Sequence, residues 1–138
     1  MSGELLGESR GKIIGTRIVE LLETSPKIET TDQSTGKLLD IDMQDISTAR
    51  SVWRSPDTFY AEGIGVVTST SGEVAMYTGT GMGKGSLWSP ETLFHGILLF
   101  RSSTPQWSRL NGIVAVVEYT VDAEGNSHSR IWEWKGRP

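Results

Sequence analysis

Two glutamates stand among apolar neighbours at a spacing that puts them on strand faces. Glu62 lies in Tyr60-Ala-Glu-Gly-Ile-Gly-Val-Val67, where Tyr60, Glu62, Ile64 and Val66 share a face, and Glu118 shares one with Val114 and Val116. Turned into a protein interior, such carboxyls are raised in pKa and can act as acid or base near neutral pH. Turned outward, or paired with Arg101 or Arg109, they do no chemistry. His95, on a face with Leu93, Ile97 and Leu99, completes the catalytic candidates Glu62, Glu118 and His95. Tyr60, Ile64, Tyr77, Trp132 and Trp134 are the expected ligand-binding residues. The five tryptophans could also pack a core or anchor a subunit interface.

Other chemistries are excluded by spacing. The stretch Tyr77-Thr-Gly-Thr-Gly-Met-Gly-Lys-Gly85 ends in Gly-Lys-Gly, but a phosphate loop needs glycine where Thr78 stands and a hydroxyl where Gly85 stands. Its alternating glycines read instead as one face of a strand, which either eases barrel curvature or leaves room for a ligand. Two histidines and no cysteine, without metal-ligand spacing, predict no metal, and no cofactor motif is present. No Gly-x-Ser-x-Gly marks a nucleophile. A net charge of −4 with scattered basic residues argues against nucleic-acid or anionic-membrane partners. The lack of cysteine and of an apolar leader points to the cytoplasm.

The elements that would position these residues are nearly all strands. The 138 residues fit a single domain, with 1–11 as a loose N-terminal segment. Alternation marks strands at 12–22, 27–35, 37–44, 58–70, 73–84, 92–102, 113–121 and 127–134, while 45–56 has no clean period and reads as a loop or helical turn. Thr104-Pro105 opens one short helical turn near 105–110. About eight strands make an all-β antiparallel barrel, closed or nearly closed; a β-sandwich is the alternative. A two-residue loop at Ser71-Gly72 would set Glu62 opposite Gly81, Tyr60 opposite Gly83 and Ile64 opposite Gly79.

The strand order, the "GIGVV" to "YTGTGMGKG" hairpin, the "RLNGIVAVVEYTVDAEGN" stretch and the closing "IWEWKG" resemble small bacterial proteins related in fold to allene oxide cyclase. The resemblance implies an eight-stranded barrel, often oligomeric, whose bacterial members are largely of unassigned function. In the plant cyclase it implies an unsaturated fatty-acid epoxide held in a productive conformation, with a buried glutamate assisting. That glutamate has no counterpart assignable to Glu62 or Glu118. Lipocalins, the rival barrel family, carry a Gly-x-Trp that is missing here, since Ser51-Val52 precedes Trp53. Two functions remain: a barrel binding a small apolar ligand, with isomerase or cyclase chemistry open to it, or a solid barrel whose surface binds another protein or its own copy. Apolar strands such as "GILLF" favour a homo-oligomer in either case.

Overall fold

The computed structural model describes residues 3–135. Eight strands follow in chain order: β1 (Leu5–Leu21), β2 (Pro26–Leu38), β3 (Ile41–Ser55), β4 (Thr58–Thr68), β5 (Val74–Lys84), β6 (Thr92–Arg101), β7 (Ala115–Val121) and β8 (Asn126–Glu133). Each pairs antiparallel with the next, and β8 returns to β1, so the sheet closes into an up-and-down barrel. Closure leaves each strand one inward and one outward face, which is why alternation runs through the whole chain. On β4 the inward face is Phe59, Ala61, Gly63, Gly65 and Val67; Tyr60, Glu62, Ile64 and Val66 point out. A 3-10 helix, Pro105–Gly112, is the one helical piece among the described residues.

That helix closes one end. Thr104 stands at its N-cap with proline in the first turn, and it drives Trp107 and Leu110, both fully buried, into the barrel. They pack with Leu6, Leu38, Met43, Val67, Leu98, Phe100 and Ile131. The Trp107 indole N–H donates to the Leu38 carbonyl at 3.0 Å, satisfying the one polar atom that the plug buries. Beside it, β2 and β3 are joined through Leu39 and Asp40 alone, whose φ values of 48° and 66° form the left-handed two-residue loop that matches strand twist.

The opposite end stays open. β1 pairs with β8 as far as Lys12 and Asn126, and the Ile13 N–H donates to the Gly125 carbonyl at 2.9 Å; beyond Ile13 the ladder of β1 is with β2 alone, and the β1–β2 hairpin stands beyond the closed wall. Among the described residues no helix is long and apolar enough to cross a membrane.

Four expectations are corrected. Leu5–Gly11 is not loose; it lies within β1, paired with β8 from Leu5 and with β2 from Gly7, while residues 1 and 2 fall outside the described range. The apparent strand 37–44 is broken by the turn at Leu39-Asp40. Residues 45–55 of the expected loop belong to β3, and their pattern is hidden because the inward positions Asp45, Ser47 and Ser51 are polar. The β4–β5 connection is longer than two residues: Ser69 and Glu73 bond across it, with Gly72 at φ 98°. The register therefore sets Glu62 opposite Thr80, Gly63 opposite Gly79 and Phe59 opposite Gly83, one position from the expected pairing.

Candidate functional site

The open half of the barrel encloses a cavity of about 450 Å³. Its wall combines small polar residues on successive strands, Ser9 on β1, Thr30, Asp32 and Ser34 on β2, Asp45, Ser47 and Ser51 on β3, Ser127 and Ser129 on β8, with apolar ones such as Ile13, Ile28, Phe94, Val117 and Val121. Short side chains in a barrel wide enough for large ones leave the space empty.

Two carboxylates stand on this wall, each beneath a tyrosine from a strand that is not its neighbour. Asp45 accepts from the Tyr77 hydroxyl at 3.0 Å through both oxygens, and Asp32 accepts from the Tyr119 hydroxyl at 2.5 Å. Tyr77 belongs to β5, so its ring must cross β4 to reach β3. It does so over Gly65, where a β-carbon would lie 2.1 Å from the Tyr77 Cζ. The glycine on β4 is thus what permits the Tyr77–Asp45 contact. In the same way the Phe59 ring occupies the space over Gly83 on β5, so the glycine face takes up neighbouring rings.

Asp32 and Asp45 are near neighbours on the β2–β3 ladder, where Asp32 faces Ser47 and Ser34 faces Asp45. Burial pushes the Asp45 carboxyl up to about 7; the hydroxyl of Tyr77 acts against this, and the charge of Asp32 adds to it. Burial, then the Asp45 charge, holds the Tyr77 hydroxyl well above its ordinary value, and Tyr119 is raised by burial and by Asp32. Asp32 Oδ1 is buried without a hydrogen-bond partner. The arrangement can therefore exchange a proton near neutral pH at Asp45 and accept a hydrogen bond at Asp32.

The mouth is aromatic. Trp53 and Phe59 lie 5.2 Å apart between ring centroids, and Phe59 stacks on Phe94 at 6.4 Å. The Trp53 indole N–H donates to the Gly85 carbonyl at 2.8 Å, tying the rim to the β5–β6 connection. That connection presents Leu87 and Trp88, the latter 82% exposed, at the edge of the cavity. A second concavity of about 490 Å³ lies at the sealed end, beside the β2–β3 and β4–β5 turns. Its one carboxylate, Asp42, is already bound by Lys37 at 2.8 Å, so the interior cavity is the stronger candidate.

Of the residues singled out in the sequence, Tyr77 is the one whose side chain enters the cavity. Glu62, Glu118, His95, Tyr60 and Ile64 share strand faces as expected, but those faces turn outward. Glu118 and His95 meet at 3.2 Å on the outer surface as a hydrogen-bonded pair, and Arg109 pairs with Glu4 and Glu133. Around Gly63 the wall is bare backbone; Glu62 and Ile64 border the cavity there, with Ile64 63% exposed outside. The Tyr60 hydroxyl accepts from Thr80, and Trp132 carries the Arg130 guanidinium over its ring at 5.0 Å. Trp134 is exposed beyond the end of β8. The apolar outer face reversed the usual reading, because this barrel sets Asp32 and Asp45 among small polar residues on its inner face while Glu62 and Glu118 stand among apolar residues outside. Asp32 and Asp45 were missed for that reason; the signal available was the period-two run of small polar residues around each. Among the described residues no cluster of three histidine, cysteine or acidic side chains could hold a metal ion.

No protein-family model matches the chain, and no curated protein matches it in sequence. Solved structures do match. A protein of unknown function from Clostridium acetobutylicum ATCC 824 superposes with a TM-score of 0.80 at 8% identity, covering 98% of this chain and 100% of that one. A conserved protein of unknown function from Rhodopseudomonas palustris gives 0.78 at 12% identity over 96% of each chain. A β-barrel-like protein from Acinetobacter baumannii AYE gives 0.79 at 12%, over 96% of this chain and 94% of that one. At these identities the likeness is one of fold, and function must be argued from the site.

Proposed function

We propose that this chain is a small-molecule-binding barrel that takes a compact, mostly apolar ligand through the aromatic mouth into the open half. The observation that carries this reading is the pair of buried carboxylates lining an interior space of about 450 Å³, a volume within the range of ligand pockets. A barrel serving only as a scaffold gains stability by filling such space, as the sealed end does. Native mass spectrometry of the protein purified from cells tests the reading: a co-purified small molecule lost on Ala61→Trp, which fills the cavity, supports it. A ligand-free spectrum in every preparation, with no small molecule raising the melting temperature in a screen, ends it.

The resemblance to allene oxide cyclase extends this to isomerase or cyclase chemistry. Asp45 with Tyr77 would serve as the acid–base pair in place of Glu62, Glu118 and His95. Once a ligand is known, Asp45→Asn should abolish its turnover even at saturating ligand, a loss larger than any weakening of binding, since a group that moves a proton in the transition state lowers rate beyond its share of affinity.

Self-association is a second reading, favoured by the outer face of β4 to β6. Ile64, Val66, Met76, Met82, Leu93, Ile97 and Leu99 are all exposed there on adjacent strands. A second copy covering this face would explain an apolar patch that monomers rarely leave in water. Sedimentation velocity should show an oligomer that Ile64→Lys with Leu99→Lys dissociates; a wild-type monomer at high concentration defeats the reading.

A further inference from the structure

We infer that the cavity selects an organic cation, an apolar body carrying one protonated amine whose N–H groups are received by Asp32 and Asp45. The inference rests on reading the open half as a ligand site and adds the chemical class of what enters it.

Three observations lead there. Asp32 is only 7% exposed, one oxygen accepts from Tyr119, and the other, Oδ1, is buried with no donor. A buried acceptor without a partner is unfavourable, so a bound group that donates to it is rewarded. A water could meet that lone pair, but it would not balance charge. Asp32 and Asp45 both line the cavity, and no lysine, arginine or histidine among the described residues lines it with them. In a low-dielectric enclosure two such carboxylates favour a cation and repel an acid. The rim supplies the rest: Trp53, Phe59 and Phe94 offer ring faces that hold an apolar body and attract a positive charge. A fatty-acid carboxylate would find no countercharge here.

The titratable groups acting on Asp45 are Asp32 from β2 and Tyr77 from β5, with Tyr119 from β7 bound to Asp32 behind them, all of which are acidic or neutral. Raising the pH ionises Asp45 and leaves a simple alkylamine charged, so amine affinity should climb from pH 6 to pH 8. Asp45→Asn should flatten that rise.

The test uses three probes of one shape, 4-phenylbutylamine, 4-phenylbutanol and 4-phenylbutyrate, titrated calorimetrically into the full chain at pH 8. The amine should bind roughly tenfold or more tighter than the alcohol, and the acid more weakly than either. Asp32→Asn should weaken the amine about 30-fold or more while the alcohol stays within about threefold, which also shows that the variant's pocket is intact. Equal or tighter binding of the alcohol or the acid overturns the cation assignment and leaves the binding barrel standing. Failure of all three probes on the wild type overturns the assignment, and with an empty native mass spectrum it removes the binding barrel as well.

Discussion

At the sealed end, Trp107 and Leu110 fill the barrel among Leu6, Leu38, Met43 and Ile131; at the open end the same closed sheet encloses about 450 Å³ lined with serines and two aspartates. Backbone geometry does not separate the halves, since the same strands, β2 and β3 for example, contribute to both. What differs is side-chain size and polarity at inward positions. Leu38 and Met43 face the sealed end, while Asp32, Ser34, Asp45 and Ser47 follow on the same inner face toward the open end. A chain under selection for stability alone gains by filling such space, so on the proposed function the hollow half is where stability is given up for a ligand.

The comparison can be broken most severely at the plug. Trp107→Ala should cost roughly 3–5 kcal/mol by urea unfolding, because a fully buried indole leaves a cavity that the closed wall cannot collapse to fill. Retention of near-wild-type stability would mean that the sealed end is not the stabilising half.

Next in size is a proton effect confined to the open half. In the unfolded chain Asp45 ionises near 3.8, and in the fold it keeps its proton to about 7. Between those values the native state binds more protons, so the contribution of Asp45 to stability falls as pH rises, by roughly 4 kcal/mol at most, and is flat above 7. Asp45→Asn removes the penalty, and the variant should gain on the wild type from pH 4 to 7. Carboxylates held at lowered pKa by hydrogen bonds, such as Glu29 with Arg17 and Glu73 with Ser69, shift the wild type the other way, but they are common to both proteins and cancel in the difference. A difference that does not vary with pH would show that Asp45 is well solvated.

A matched pair sharpens the contrast further. Ala115→Phe overfills the sealed end, where Ala115 is fully buried, and should cost about 1–3 kcal/mol. Ala49→Phe projects into the cavity and should cost less than about 1 kcal/mol while blocking amine binding. Equal penalties would mean that the open half is already packed.

The smallest effect lies in the turn at the sealed end. Asp40 holds φ 66°, which glycine adopts without strain, so Asp40→Gly should raise stability by up to about 1 kcal/mol and leave ligand affinity unchanged. A thermal melt beside the amine titration checks both halves.

Alternation and turn chemistry were enough to determine an all-β chain, the eight-strand count and the helical turn at Thr104-Pro105, because these depend on local sterics and on period. Residue pairs that share a face were also legible: Tyr60 with Glu62 and Ile64, His95 with Ile97, and Trp132 with Arg130. Which face turns inward was not. A strand with Ile64 and Val66 on one side and Ala61, Gly63 and Gly65 on the other buries its larger residues in most proteins, and only closure of the barrel shows that the small ones lie inside. Asp45 in particular was hidden within an apparent loop, since the inward positions that follow it are Ser47, Ala49 and Ser51 and its outward ones include Ile46 and Val52. The contacts that make the site, Tyr77 across Gly65 to Asp45 and Tyr119 to Asp32, join residues 32 and 87 positions apart. No local pattern encodes such meetings: the first needs the β3–β4–β5 register that sets Gly65 under the Tyr77 ring, and the second needs β8 to close on β1 and bring β7 near β2.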